Sequence, residues 1–68
     1  MPMNPAMAAL IDYAATIAFS SLGKEATALL LGTWLLDGNA PEQMLPMLQA
    51  EVRKNEGEAQ AAIDRMPG

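Results

Sequence analysis

An uncharged run in the middle of the chain constrains the fold more than any other feature of the sequence. Residues 26–36 read ATALLLGTWLL and contain no charged side chain. On an α-helix, at about 100° per residue, the five leucines and the tryptophan of this run point to every side of the axis. Such a helix has no face suited to water. We therefore predict that the rest of the chain covers one side and that a further molecule covers the other.

The chain is too short to bury such a helix alone. A domain of about 60 residues buries only about 60% of its unfolded surface, and it usually needs disulfides, a metal or association to be stable. The 68 residues include no cysteine and no histidine, which excludes disulfides and removes the usual ligands of a structural metal. Charged residues make up only 18% of the sequence, below the typical quarter. We therefore predict a homo-oligomer, most simply a dimer.

The predicted oligomer interface lies on the uncharged helix. Gly32 is informative because a glycine inside a helix costs about 0.5–1 kcal/mol relative to alanine, so a close helix crossing is a reason to find one there. Trp34 suits an interface, although a single tryptophan on an apolar helix also suits a core. Small residues four apart on the first two helices would let backbones approach, or they are simply good helix formers. The predicted interface residues are Ala28, Leu31, Gly32, Trp34 and Leu35.

Start and stop signals divide the chain into three helices. Asn4 followed by Pro5 is typical of a helix start, and Gly23 stands where a left-handed terminating residue is expected. The sequence Asp-Gly-Asn at 37–39 predicts a turn. The predicted fold is therefore a single all-α domain over 1–68, a small antiparallel bundle with helices at about 5–22, 24–36 and 40–66, frayed at 1–4 and 67–68 and completed by oligomerisation.

The third helix carries conflicting signals. Asn39 and Glu42 have the spacing of a capping box, but Pro46 lacks a donor and clashes with the carbonyl four residues earlier. We therefore predict a short helical turn over 40–45, a kink at Pro46 and a main helix beyond it. Asn55 and Gly57 weaken that helix, although a seven-residue repeat continues through it. The repeat consists of Leu45, Leu48, Val52, Asn55, Ala59, Ala62 and Met66.

Methionines and leucines surround the predicted kink. Methionine packs well on irregular surfaces, so a kinked, methionine-rich segment beside a turn is the first candidate for contact with another protein. The alternative is that the same side chains form the core of the bundle. The predicted partner-binding residues are Met44, Leu45, Met47 and Leu48.

The residue types needed for catalysis, cofactor binding or metal binding are scarce. The sequence has no histidine or cysteine and no glycine-rich phosphate loop, and Ser20 and Ser21 have no base nearby in sequence. The acidic turn from Asp37 to Glu42 lacks the alternating oxygen ligands of a calcium loop. We therefore predict no enzymatic activity, no cofactor and no metal.

The charge balance argues against nucleic acid as a partner. The net charge is −4 with only four basic residues, whereas phosphate binding needs clustered lysine and arginine. The N-terminus lacks the positive residues of a signal peptide, and the absence of cysteine suits a reducing compartment. A cytoplasmic location is therefore expected.

These features favour a small non-enzymatic helical module for protein–protein interaction, acting as a regulator, inhibitor or adaptor. One alternative is a membrane-associated helical hairpin, but the 11 residues of the run 26–36 fall short of the roughly 20 that span a bilayer, and no basic flank is present. Another is a helix-turn-helix regulator, whose recognition helix would contain Pro46 and would carry Arg53 and Lys54 too far along to enter a groove first.

Overall fold

A computed structural model describes residues 3–67, which form three helices joined by short turns. The predicted all-α fold of three helices is confirmed, and the second helix has the predicted bounds. The predicted fraying of Met1, Pro2 and Gly68 lies outside the described residues. Helix α1 covers residues 5–21 and consists of an α-helix Pro5–Tyr13, a π-helical stretch Ala14–Ala18 and an α-helical turn Phe19–Ser21; α2 is Lys24–Leu36 and α3 is Pro41–Arg65.

Helix α1 begins at the predicted signal. The Asn4 Oδ1 atom accepts a hydrogen bond from the Ala6 N–H at 2.7 Å, and Pro5 occupies the first helical position. The Asn4 Nδ2 group also donates to Glu42 Oε1 at 3.3 Å. The starts of α1 and α3 therefore lie side by side.

A π-helical stretch, which the sequence did not predict, widens the second half of α1. Here the Phe19 N–H donates to the Ala14 carbonyl, five residues earlier. In an α-helix, residues spaced by four drift around the axis by about 40° per step, but the wider turn of a π-helix holds more residues and reduces that drift. Leu10, Ala14 and Ala18 consequently stay on the buried side of α1.

Two glycines with positive φ reverse the chain. Gly23 has φ 94° and Gly38 has φ 90°, values that L-residues with a Cβ rarely adopt. At the second turn the Gly38 N–H donates to the Leu35 carbonyl and the Asn39 N–H donates to the Trp34 carbonyl, both at 3.0 Å, which is a Schellman motif. Helix α2 therefore runs antiparallel to both neighbours, and α1 and α3 run parallel to each other.

Gly23 is extended rather than left-handed helical, because it also opens α2. Its ψ is 152°, and it occupies the N-cap position of the following helix. The Gly23 carbonyl accepts hydrogen bonds from the Thr27 N–H at 3.1 Å and from the Thr27 hydroxyl at 2.8 Å. Gly23 is thus both the last residue of the turn between α1 and α2 and the N-cap residue of α2.

Helix α3 is capped by Ala40, so the predicted capping pair of Asn39 and Glu42 is wrong. The Ala40 N–H donates to Gln43 Oε1 at 2.8 Å, which is one half of a capping box. Asn39 is engaged elsewhere, since its Nδ2 group donates to the Trp34 carbonyl at 2.9 Å. Asn39 therefore closes α2 instead of opening α3.

Helix α3 continues through Pro46 without a break, so the separate helical turn predicted over 40–45 is absent. The missing hydrogen bond to the Glu42 carbonyl and the ring clash cost about 3 kcal/mol. Met44 and Leu48 lie on either side of the proline in sequence and are both buried. Burying each of these side chains contributes about 1.5–3 kcal/mol, which offsets the cost of the proline.

The core is small and lies between α1 and α3. Within residues 3–67, three apolar side chains of each of these helices are buried, whereas the buried residue of α2 is Thr27. The Thr27 hydroxyl tolerates this position because it is bonded to the Gly23 carbonyl. The six buried apolar residues are Leu10, Ala14, Ala18, Met44, Leu48 and Val52.

Helix α3 extends beyond the helices that it packs against. Its Asn55 lies beside Ser21, the last residue of α1, and residues 56–65, which we call the α3 overhang, are all exposed except for the half-buried Ala61. At 1.5 Å per residue the overhang is about 15 Å long. The molecule measures 55 × 22 × 18 Å, and its radius of gyration is 14.0 Å, against about 11 Å for a compact chain of this length. The fold is therefore elongated.

Candidate functional site

The most exposed apolar surface of the chain lies on α2. Leu29 is 72% exposed, Leu35 60% and Leu36 90%. Residues spaced by three, four and seven share one side of a helix, so these leucines lie together with the exposed Ala28 and Gly32. We call these five residues the outer face of α2. The five residues are uncharged and lie opposite Thr27, and by the same spacing the exposed Glu25 borders this face at its N-terminal end.

The structure divides the predicted oligomer interface between two sides of α2. Ala28, Gly32 and Leu35 lie on the outer face, but Leu31 and Trp34 are half-buried and pack against the core. Leu29 and Leu36 belong to the exposed surface and were missed, because the sequence does not reveal which of the many apolar sides turns inward. The buried Thr27 fixes that choice, and threonine on an apolar helix reads as a polar, outward residue.

Gly32 is open on the outer face. Among the described residues, no atom outside its own stretch of helix lies within 4 Å of the position that a Cβ on Gly32 would occupy. The close crossing predicted at this glycine therefore does not occur within one chain. Ala14 and Ala18 instead provide the close approach, since both are buried where α1 meets α3. The cost of Gly32, about 0.5–1 kcal/mol relative to alanine, has no compensation inside a single copy.

The predicted partner-binding set is reduced by half. Met44 is 2% exposed and Leu48 is fully buried, so both are core residues and are not available to another protein. Leu45 and Met47 are half-buried and remain partly accessible. The reason is geometric: Met44, Leu48 and Val52 recur every fourth residue on the inner side of α3, and Pro46 does not interrupt that helix.

A second surface lies at the far end of α1. The Asn55 Nδ2 group donates to the Ser21 carbonyl at 2.9 Å and to the Ser21 hydroxyl at 3.0 Å. This satisfies one of the carbonyls that a helix end leaves without a partner. The residues around this contact line an open groove of about 500 Å³: Thr16, Ile17, Ser20, Ser21, Asn55, Glu56 and Ala59.

Sequence reasoning missed this end of the bundle. It treated Asn55 as a residue that weakens α3, whereas the side chain joins α3 to α1. The partner, Ser21, is 34 positions away. A contact over that distance leaves no local pattern, and the one available signal was a polar residue at a position of the apolar repeat.

Neither surface contains a cluster of side chains in the described residues that could bind a metal ion. In the part of the chain that the structure describes, no three acidic side chains lie close enough together to hold a metal ion. Every buried side-chain nitrogen or oxygen of residues 3–67 has a hydrogen-bond partner. No helix in this range has both the length and the apolar character needed to cross a bilayer.

Comparisons of the chain with protein-family models, with curated proteins and with solved structures find no match. The fold defines the class, a small all-α helical bundle. The function has to be inferred from the two surfaces described above.

Proposed function

We propose that this chain is a small, non-enzymatic helical module for protein–protein interaction that works as a homo-oligomer, most simply a dimer formed through the outer face of α2. The proposal includes a cytoplasmic role as a regulator, inhibitor or adaptor of another protein. The observation that supports it most is the exposure of Leu29, Leu35 and Leu36 on one uncharged face. Fully burying a leucine side chain contributes about 1.5–3 kcal/mol, so covering three of them is a substantial driving force.

The total surface of the chain also supports association. Its accessible surface is 4917 Å², against about 4,100 Å² for a monomeric protein of the same mass. The excess of about 800 Å² is close to what one partner buries in a protein–protein interface of standard size. An interface of ordinary size would therefore bring the exposed surface to the usual value.

The outer face of α2 suits a symmetric contact with itself. A two-fold interface places the same patch on both subunits. Ala28 and Gly32 lie at the middle of the face, where their small side chains allow two helix backbones to approach closely. Leu29, Leu35 and Leu36 flank them and would pack across the axis. The free space around Gly32 is then the space that the second copy fills.

Sedimentation of the Leu29→Gln, Leu35→Gln double variant tests the dimer. Both side chains are exposed in a single copy, so the change is expected to leave helicity unchanged while it raises the dissociation constant of the wild-type dimer about tenfold or more. Ile11→Gln is the matched control, because Ile11 is an exposed aliphatic residue on α1, and it is expected to keep the dimer. A wild-type chain that stays monomeric and folded at these concentrations would contradict the proposal.

The same two variants separate self-association from membrane binding. If the leucines instead insert into a lipid surface, the wild type will co-sediment with phosphatidylcholine vesicles and the double variant will not. We expect neither to co-sediment, because the second copy covers the leucines of the wild type and the double variant lacks two of them.

Native purification followed by mass measurement tests the regulatory role. The expected result is a complex that contains at least two copies of this chain and a second protein. The half-exposed Leu45 and Met47 are the remaining part of the predicted partner-binding set, so Leu45→Gln, Met47→Gln is expected to release the second protein but not the second copy. Recovery of the homodimer alone would contradict the adaptor or inhibitor role.

A further inference from the structure

The α3 overhang continues the core stripe of α3 into solvent. Met44, Leu48 and Val52 form the buried side of α3. At helical spacing, the same side of the overhang carries Ala59, Ala62 and Ile63. Met66 follows directly after the last helical residue, and both Ile63 and Met66 are more than half exposed. Helices α1 and α2 meet at the Gly23 turn, and beyond Ala59, which lines a groove with the end of α1, they leave this stripe exposed. At this end of the bundle, part of the apolar stripe is therefore not covered by another helix of the same chain.

The groove beside the overhang combines two apolar side chains, Ile17 and Ala59, with five polar or charged ones. It runs between the last turns of α1 and the beginning of the overhang. Ile17 lies on its wall and is exposed. The Asn55 side chain in this groove is already bonded to Ser21, and Ile17 and Ala59 provide its apolar contact surface. A helix with an apolar side would fit along it.

We propose that the occupant is the overhang of a second copy, so that two overhangs pair antiparallel about a two-fold axis. In the favoured register, Ala59 of one copy lies opposite Ala62 of the other, where small side chains permit close packing. Met66 of each copy then reaches the Asn55 end of the other's groove, near Ile17. This interface uses no residue of α2, so it does not depend on the proposed function.

The charges that flank the stripe favour the antiparallel direction. Glu58 and Arg65 lie on the same flank of α3, seven residues apart. In an antiparallel pair, each flank of one overhang faces the same flank of the other. In the register above, Glu58 of each copy therefore lies near Arg65 of the other, which gives two such contacts. In a parallel pair, one flank of each overhang faces the opposite flank of the other, as in parallel coiled coils. Glu51 of one copy would then face Glu56 of the other, and the two negative charges would repel each other. The sequence is therefore complementary to itself in one direction.

A charge-reversal cycle tests the pairing. The full-length chain carrying Leu29→Gln and Leu35→Gln serves as the background, which removes the α2 interface. Single variants Glu58→Arg and Arg65→Glu are each expected to weaken self-association about 3- to 10-fold, since each creates two like-charge contacts. The double reversal restores Arg opposite Glu, and we expect its dissociation constant to return to within about 2-fold of the background.

The cycle also excludes a purely structural explanation. Within one helix, residues 58 and 65 are separated by about 10 Å of rise, so rescue by the double reversal requires a second chain. Circular dichroism should show equal helicity for all four proteins. Single variants that associate as tightly as the background, or a double reversal as weak as the sum of the two, would overturn the proposal.

Disulfide trapping gives a second measurement that does not require the α2 background. The sequence has no cysteine, so single cysteines can be placed in the otherwise native chain. A mixture of Ala59→Cys and Ala62→Cys chains is expected to form mixed disulfides several-fold faster than either chain forms disulfides with itself. Equal rates for the mixed and the self-linked products would contradict the register, and faster self-linking would indicate parallel pairing.

Discussion

Gly32 and Gly57 form a matched pair of mid-helix glycines, one on the outer face of α2 and the other on the α3 overhang. Both are exposed, and beyond their own helical turns none of the described atoms lies within 4 Å of where a Cβ would stand on either. Replacing a glycine inside a helix by alanine favours the helix by about 0.5–1 kcal/mol. The two positions differ in what they face, because Gly57 lies opposite the apolar stripe of the overhang.

We predict that Gly57→Ala raises the free energy of unfolding by about 0.5–1 kcal/mol at every protein concentration. Gly32→Ala should give the same gain at low concentration but weaken the dimer, since a methyl group at the crossing separates the two helices. Urea unfolding at 1 and 100 µM measures both effects. If the two variants behave alike at both concentrations, Gly32 does not lie in an interface.

Asn55 tests the importance of the contact between the end of α1 and α3. Asn55→Ala removes two hydrogen bonds to Ser21 and should lower the free energy of unfolding by about 1–3 kcal/mol. Gln60→Ala is the control, because it removes an exposed hydrogen bond to Asp64 within the overhang, and it should change stability by less than about 0.5 kcal/mol. Thermal unfolding of the two variants makes the comparison. Equal stability would mean that water replaces Asn55 at no cost.

Individual residues were predictable where their partners lie close in sequence. Asn4 was expected to start α1 and Gly38 to allow the second turn, and each acts through atoms two to three residues away. The role of Asn55 depends on a carbonyl 34 positions earlier. No rule based on neighbouring residues predicts that bond.

At the scale of helices, Pro46 lies inside α3, and its cost in folding free energy can be measured by substitution. It is exposed inside α3 and leaves the Glu42 carbonyl without its helical donor. We predict that Pro46→Ala raises the free energy of unfolding by up to about 3 kcal/mol. Pro41→Ala is the control, because the first helical position needs no donor, and it should change stability by less than about 0.5 kcal/mol. Chemical unfolding of both variants gives the difference.

A different result at Pro46 would change the description of α3. If Pro46→Ala leaves stability unchanged or lowers it, the proline must favour the fold in another way, for example by restricting the unfolded chain. The sequence predicted a helical turn over 40–45 and a separate helix after Pro46. The proline rule is local, whereas the burial of Met44 and Leu48 that outweighs it depends on α1.

The bounds of α2 were predicted and the internal shape of α1 was not. Gly23 and the 37–39 turn mark both ends of α2 with residues that act within one turn. The π-helical stretch Ala14–Ala18 has no such marker, since alanine, threonine and isoleucine also fit an α-helix. This stretch keeps Ala14 and Ala18 in the core, and that core exists only in the assembled bundle.

For the whole molecule, the exposed leucines of α2 predict a stability that depends on concentration. A dimer gains about 1.4 kcal/mol for each tenfold increase in protein. For the 136 residues of two chains (2 × 68) that corresponds to a rise in the unfolding midpoint of roughly 3–4 °C per kcal/mol. Scans from 5 to 500 µM should therefore show a clear upward shift. The Leu29→Gln, Leu35→Gln variant should show a smaller shift over the same range, because any association that remains does not involve α2.

The surplus of apolar surface on α2 was predictable from the whole sequence, but the side of α2 that stays exposed was not. The run 26–36 is apolar on all sides, so its composition indicates a shortage of cover without indicating where. The side was decided by Thr27, which enters the core through its bond to Gly23. A similar shift by one position occurs on α3. The apolar repeat included Leu45, but the neighbouring Met44 is the residue that is buried in the core.

The parallel arrangement of α1 and α3 also bears on how quickly the native state is reached. Neighbouring helices meet across short turns, and the contacts that join distant parts of the chain, such as those of Asn4 with Glu42 and Ser21 with Asn55, span 38 and 34 residues. Chains dominated by nearby contacts acquire their structure in microseconds to milliseconds. The docking of α3 onto α1 closes the longest loops of the fold, so we predict that substitutions at Leu48 slow refolding, measured by stopped flow, more than those at Leu31.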